Sequence, residues 1–190
     1  MPDCAFRGTS RNGGTAGGVG AGVTLGLFAA WAAHDAEEVA TGPRWIAARL
    51  PELRERLPSV PERVWRALEG VDAREFAVAV SGVGLVVAAA AADGHRTGGR
   101  SGFYQSTLTG FGLHGVVHLA QAAAVRGYTP GVATTPLVVL SFTLWARGRL
   151  RRAGVLRATR VREAMGGLAM AGLVTVASHA VAGRVTRRRG

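Results

Sequence analysis

Apolar residues in this chain are gathered into long blocks that arginine-rich segments separate. Such blocks differ from the alternation of a half-buried strand and from the apolar stripe of a soluble helix. Hydrophobic residues make up 48% of the chain but aromatic residues only 6%. Abundant Ala and Gly favour close helix packing in lipid. We therefore predict an all-α fold, a polytopic membrane bundle of about five transmembrane helices with roughly 20 apolar residues each.

One helical membrane domain is predicted over residues 19–183, between a disordered, glycine-rich leader (1–18) and a basic C-terminal tail (184–190). The predicted spans are residues 19–40, 76–92, 103–125, 128–146 and 163–181. Tyr128 to Gly131 has the composition of a tight turn. We expect Pro136 to kink the fourth span, because a proline inside a helix removes a backbone donor.

Residues 45–68 have a different pattern, with apolar residues at helical spacing among Arg and Glu. Trp45 and Trp65 suit the headgroup level of a membrane. We expect one or two short amphipathic helices at the interface, and we hypothesise that they cover a site next to the first span. A solvated linker remains the alternative reading.

Positive charge is concentrated between the apolar blocks, and all 23 basic residues are Arg. No nucleic-acid-binding motif accompanies the net charge of +11, so we expect membrane lipids, and no nucleic acid, as partners. The densest cluster is the short loop 147–162, which we place in the cytoplasm with the N-terminus. We expect an integral protein of a bacterial cytoplasmic membrane.

The first span carries the pentapeptide His34-Asp-Ala-Glu-Glu38. The uncharged part of that span, residues 19–33, measures about 22 Å as a helix, too short for a hydrocarbon core of about 30 Å. A helix that crosses must therefore bring the ionisable groups into the membrane, where such groups mark functional sites. The alternative is a signal peptide cleaved near Ala33, which would leave His34 outside any membrane.

Helical spacing groups the ionisable side chains. His34, Glu37 and Glu38 fall within one arc of about 100°, whereas Asp35 points outside this arc and is not expected to be a ligand. His114 and His118 form an i, i+4 pair in the third span, a common way to present two nitrogens to one metal. Gln121 follows on the same stripe and is expected to support the ligands.

Depth gives a further criterion, because the first, third and fifth spans run in the same direction. His34, His118 and His179 lie almost equally far from the starts of their spans. We therefore predict a metal site with the candidate ligands His34, Glu37, Glu38, His114, His118 and His179. In the alternative reading, these groups form a hydrogen-bonded network that only holds the helices together.

The pattern His34-x-x-Glu37-Glu38, followed by His118 and then Tyr128-Thr-Pro-Gly, resembles the family of membrane proteins named for its HXXEE motif. The similarity runs from about Leu25 to Leu144. The resemblance implies a multi-helical membrane domain with a metal site but no defined reaction. In the family pattern the position of His114 is often Asn, whereas the histidine at His118 is retained.

These observations favour a membrane-embedded metalloenzyme that acts on a small lipophilic or amphiphilic substrate. Imidazole and carboxylate ligands suit iron, which we expect first, or manganese or zinc, with one or two ions. We predict oxidative chemistry with a redox partner. A hydrolase would instead use Glu37 as the catalytic base.

Two other classes of function use the same residues. A metal or proton transporter would use the intramembrane groups as a pathway. A noncatalytic membrane partner would need them only for assembly.

Overall fold

A computed structural model describes residues 18–70 and 72–158. These residues form helices and connecting turns and contain no β-strand, which confirms the all-α prediction for this part of the chain. The elements in order are α1 (Ala21–Thr24), α2 (Gly26–Arg56), α3 (Glu62–Glu69), α4 (Ala73–Arg96), α5 (Gly102–Val125), a π-helix (Thr135–Leu140) and α6 (Ser141–Arg152). The predicted leader up to residue 17, the fifth span and the tail lie outside the described residues.

Helix α2 is longer than the first predicted span. The first span was predicted to end at Ala40, but α2 continues through Pro43 and Pro51 to Arg56. Each proline costs one backbone hydrogen bond. Strong helix formers surround Pro51, and Glu52 pairs with Arg49 and Arg56 one turn away on either side, at 2.6 and 2.8 Å. The predicted interfacial segment is therefore the end of α2 followed by the short helix α3.

Aromatic rings lying on glycines bring α2 and α4 together in antiparallel orientation. A Cβ built on Gly84 would lie 2.6 Å from the Trp31 ring, and one built on Gly42 would lie 3.3 Å from the Phe76 ring. A side chain at Gly84 would displace the Trp31 ring, and one at Gly42 would need a small shift of the Phe76 ring, so the two helices approach closely at both ends of their contact. This packing fixes the position of α2, which carries the motif.

A short loop joins α4 to α5, and the buried Tyr104 anchors the start of α5. Its ring lies on Gly94 of α4, and its hydroxyl donates a hydrogen bond to the carbonyl of Val23 in α1. Gly98 and Gly99 have positive φ angles of 62° and 87°, which glycine adopts without strain. The loop thus fixes α5 beside α1 and α4.

The segment predicted as the fourth span begins later than expected. Residues 126–134 form a turn that contains Gly131 with φ 83°, and helical structure starts only at Thr135. Pro136 lies in the first turn of the π-helix, where a missing N–H costs little. The predicted kink within the span is therefore replaced by a helix start, and the carbonyl of Pro136 accepts a hydrogen bond from the Ser141 hydroxyl at 2.8 Å.

Helices α4 and α5 are each long and apolar enough to cross a membrane. The other described helices do not meet this criterion, and α2 carries the charged pentapeptide within its length.

Candidate metal centre

Helix α2 contributes a histidine and a glutamate from consecutive turns of one face. His34 is fully buried, and the side chain of Glu38 is 14% exposed. The buried residues Leu27 and Ala30 precede them on the same face. This apolar stripe is held against the rest of the bundle, and it carries the two polar side chains into the interior with it.

Helix α5 contributes a second pair, His114 and His118, whose Nε2 atoms lie 2.8 Å apart. Gly115 stands between them and lets α5 approach the π-helix, because a Cβ there would lie 2.8 Å from Cγ1 of Val139. The side chain of His118 is 7% exposed and that of His114 is 44% exposed. The packing at Gly115 therefore fixes the position of the two histidines relative to the π-helix.

The three imidazoles converge on one oxygen atom of the fourth side chain, Glu38. Oε1 of Glu38 lies 2.8 Å from Nε2 of His118, 3.8 Å from Nε2 of His114 and 3.9 Å from Nε2 of His34. All four potential ligand atoms lie within 4.8 Å of one another. Ligands about 2.1 Å from a tetrahedral metal ion are about 3.4 Å apart, so the spacing suits a single ion.

An unpaired atom supports the fit of a metal. Nε2 of His34 is buried and has no hydrogen-bond partner, although buried polar atoms are almost always paired. It faces the Glu38 carboxylate at a distance too long for a hydrogen bond. A cation between the two groups would satisfy both, so His34, Glu38, His114 and His118 could hold a metal ion.

The turn after α5 closes one side of this group. A Cβ on Gly131 would lie 2.8 Å from Cε1 of both His34 and His118, and 3.0 Å from Oε1 of Glu38. Glycine is required at this position for two reasons: its φ is positive, and there is no space for a Cβ. Residues 45–68 were predicted to cover the site, and one of them, Trp45, contacts this turn: its Nε1 donates to the carbonyl of Tyr128 at 2.8 Å.

Glu37 does not join the four ligands. Its carboxylate binds the turn, accepting hydrogen bonds from Tyr128 Oη (2.7 Å), Thr134 Oγ1 (2.7 Å) and the backbone N–H groups of Thr134 (2.8 Å) and Ala133 (3.3 Å). Glu37 points about 100° away from Glu38 around the helix, and these hydrogen bonds hold its carboxylate at the turn. The structure separates the two glutamates that the sequence grouped.

Two residues of the turn were missed by the sequence reading. Oγ1 of Thr134 lies 2.8 Å from Nδ1 of His34, and Tyr128 contacts Glu37. The sequence feature that could have identified them is the Tyr128-Thr-Pro-Gly turn, because it places polar residues next to an apolar span.

The other polar residues considered in the sequence analysis are Gln121, Asp35 and His179, and none of them belongs to the four-ligand group of the described residues. Gln121 is exposed, and its side chain makes no hydrogen bond among the described residues. Asp35 is buried, and its Oδ2 has no partner. The rings of His34 and His118 are 4.9 Å apart, as expected for two histidines at one depth. His179 lies outside the described residues.

A comparison with known protein families places the chain in a family. Residues 25–146, more than half of the chain, match the sequence model of a family described as "Protein of unknown function with HXXEE motif". No curated protein and no solved structure matches the chain.

Proposed function

The chain belongs to the HXXEE-motif family, and with two of its motif residues in the ligand group we propose that it is a membrane-embedded, metal-dependent enzyme. Its substrate would be a small lipophilic or amphiphilic biosynthetic intermediate, and its reaction oxidative: hydroxylation, desaturation or heteroatom oxidation. The observation that carries this proposal is the convergence of three imidazole nitrogens on Oε1 of Glu38.

Exposed apolar side chains support an integral membrane location. Only 28% of the most apolar window in α4, and the same share in α5, is buried inside the structure, whereas the core helix of a soluble protein is mostly buried. Leu85 of α4 is 75% exposed, Leu137 of the π-helix 77% and Leu144 of α6 72%. Such a surface is costly in water and favourable in lipid.

Arginines at one end of the bundle support contact with anionic lipids. The backbone N–H of Val19 bonds to the carbonyl of Gly98, and Arg157 lies beside Gly102. The start of α1, the α4–α5 loop and the end of α6 therefore meet. This end exposes Arg96, Arg100, Arg149, Arg151, Arg152 and Arg157. By the positive-inside rule we propose that it faces the cytoplasm of a bacterial cell.

The donor set supports iron, with manganese or zinc as the next choices. Three imidazoles and one carboxylate are ligands of intermediate hardness, which magnesium and copper(I) do not prefer. The described ligands suffice for one ion. A bound iron ion would supply redox chemistry with oxygen, for which a redox partner would provide electrons.

This chain's own residues would hold the ion, shield it and admit substrate. The Gly131 turn excludes water from one side, and Phe111 packs edge-on to the His34 ring at 6.0 Å between centroids. His114 is the half-exposed ligand, so we propose that a lipophilic substrate approaches on its side. Glu37 was predicted to be a catalytic base, but its carboxylate accepts four hydrogen bonds from the turn. We propose that it affects the site by holding this turn in place.

Elemental analysis of the detergent-purified, iron-loaded protein tests the metal site. We expect about one ion per chain in the unmodified protein and in a His95→Ala control, and a loss of most of it in His118→Ala and Glu38→Gln. His95 is exposed and lies outside the ligand group. Equal metal content in all four proteins would refute the site.

Lipid extracts from membranes that contain the unmodified protein or Glu38→Gln test the reaction. Mass spectrometry should detect a compound that gains an oxygen atom or loses two hydrogen atoms only where the ligand group is intact. Identical extracts, together with metal flux into vesicles that contain the unmodified protein, would instead identify a transporter.

A further inference from the structure

The hydroxyl of Thr134 connects two parts of the site that the sequence kept separate. Its Oγ1 lies 2.7 Å from Oε2 of Glu37 and 2.8 Å from Nδ1 of His34. Glu37, Thr134 and His34 thus form a chain of hydrogen bonds that reaches Nδ1 of His34, on the side of the ring opposite the ligand atom Nε2. Residues in this position orient a metal-binding histidine in many proteins.

Counting hydrogens fixes the direction of both bonds. Glu37 receives two backbone N–H groups and the Tyr128 hydroxyl in addition to Thr134, so its carboxylate acts as an acceptor throughout. Thr134 has a single hydroxyl hydrogen. That hydrogen must go to Glu37 rather than to Nδ1 of His34, because two oxygen atoms 2.7 Å apart need a hydrogen between them and the carboxylate carries none. The Gly131 carbonyl is a weaker competitor at 3.3 Å. The hydroxyl oxygen then accepts from His34, which requires a hydrogen on Nδ1.

We propose that Thr134 is a positioning residue that holds His34 in the tautomer with hydrogen on Nδ1, leaving the lone pair of Nε2 directed at Glu38, His114 and His118. The buried Nε2 without a hydrogen-bond partner agrees with this tautomer. The consequence for metal affinity rests on the proposed function, whereas the tautomer itself is a property of the metal-free protein.

Two variants at one position separate the hydroxyl from the shape of the side chain. Thr134→Val keeps the branched shape and removes the hydroxyl, and Thr134→Ser keeps the hydroxyl. The nitrogen NMR signals of His34 in the metal-free, ¹⁵N-histidine-labelled protein report which nitrogen carries hydrogen, and the signal lost in His34→Gln assigns them. We expect hydrogen on Nδ1 in the unmodified protein and in Thr134→Ser, and loss of this single tautomer in Thr134→Val.

Zinc affinity, measured by competition with a chromophoric chelator, gives the second readout. We expect it to fall about tenfold to hundredfold in Thr134→Val and to recover in Thr134→Ser. Hydrogen on Nε2 of His34 in the unmodified protein would overturn the inference, as would a Thr134→Val protein with unchanged tautomer. If Thr134→Val does not fold, the unmodified protein and Thr134→Ser still decide the tautomer. No zinc binding with the expected tautomer would refute the metal site and leave the role of Thr134 intact.

Discussion

Oε1 of Glu38 lies 2.8 Å from Nε2 of His118, although the two residues belong to helices far apart in the sequence. Glu38 is thereby shared among three histidines, and its carboxylate is the only acidic group among the four ligands that the described residues bring together. This relationship joins the polar groups of α2 and α5 into one cluster that could hold a metal ion, and the following predictions start from it.

The two histidines of α5 should not contribute equally to metal binding. His118 is buried and lies nearest to Glu38, whereas His114 is 44% exposed and lies 3.8 Å from that oxygen. We expect His118→Asn to lower zinc affinity by more than about hundredfold, and His114→Asn by about tenfold or less, since an amide oxygen or water can replace an exposed ligand. Titration of both variants measures this. A larger loss in His114→Asn would contradict the assigned geometry.

Gly131→Ala should impair both folding and metal binding. The new Cβ would strain a residue with φ 83° and lie 2.8 Å from His34 and His118. Gly154→Ala is a matched control, because Gly154 has φ 67° but no described neighbour within 4 Å of a new Cβ. We expect each variant to lose about 1–2 kcal/mol of stability from backbone strain, and only Gly131→Ala to lose metal. Thermal unfolding in detergent and elemental analysis provide the two measurements.

Glu37→Gln should loosen the turn without removing a ligand. An amide keeps the size of the side chain, but its NH₂ end cannot accept the hydrogen bonds that one carboxylate oxygen receives from the turn. We expect a loss of about 1–3 kcal/mol in stability, measured by thermal unfolding. Glu55→Gln, on the exposed end of α2, should leave stability unchanged. Equal melting of the two variants would show that Glu37 does not hold the turn.

Gly84→Ala should separate α2 from α4. The added methyl would lie 2.6 Å from the Trp31 ring, and overpacking of this kind costs about 1–3 kcal/mol. Gly110→Ala is the control, because the described residues leave its Cβ position open, and it should slightly raise stability through its better helix propensity. Unfolding of both variants in the same detergent tests the contact, and equal stabilities would exclude tight helix packing at Gly84.

Local spacing was sufficient to place His34 beside Glu38 and His114 beside His118, because residues four apart on a helix share a face whatever surrounds it. The apolar blocks likewise predicted α4 and α5 within a few residues. The same argument also grouped Glu37 with Glu38, which the structure separates. The position of a residue on one helix does not show which neighbouring element its side chain faces. The first span was predicted to end at Ala40, whereas α2 continues to Arg56, because local propensity does not include packing against a neighbouring helix.

The sequence by itself determined the helical class, the two apolar helices and the polar side chains that had to enter the bundle, because each depends on periodicity and on the cost of burying charge. Only the tertiary structure decided that Gly131 closes the site, that Glu37 binds the turn and that Thr134 stands behind His34. These three depend on where a turn lies relative to another helix. The packing of α5 against the π-helix at Gly115 determines where this turn lies. The residues that pack there are too far apart in the sequence for a local pattern to predict their contact.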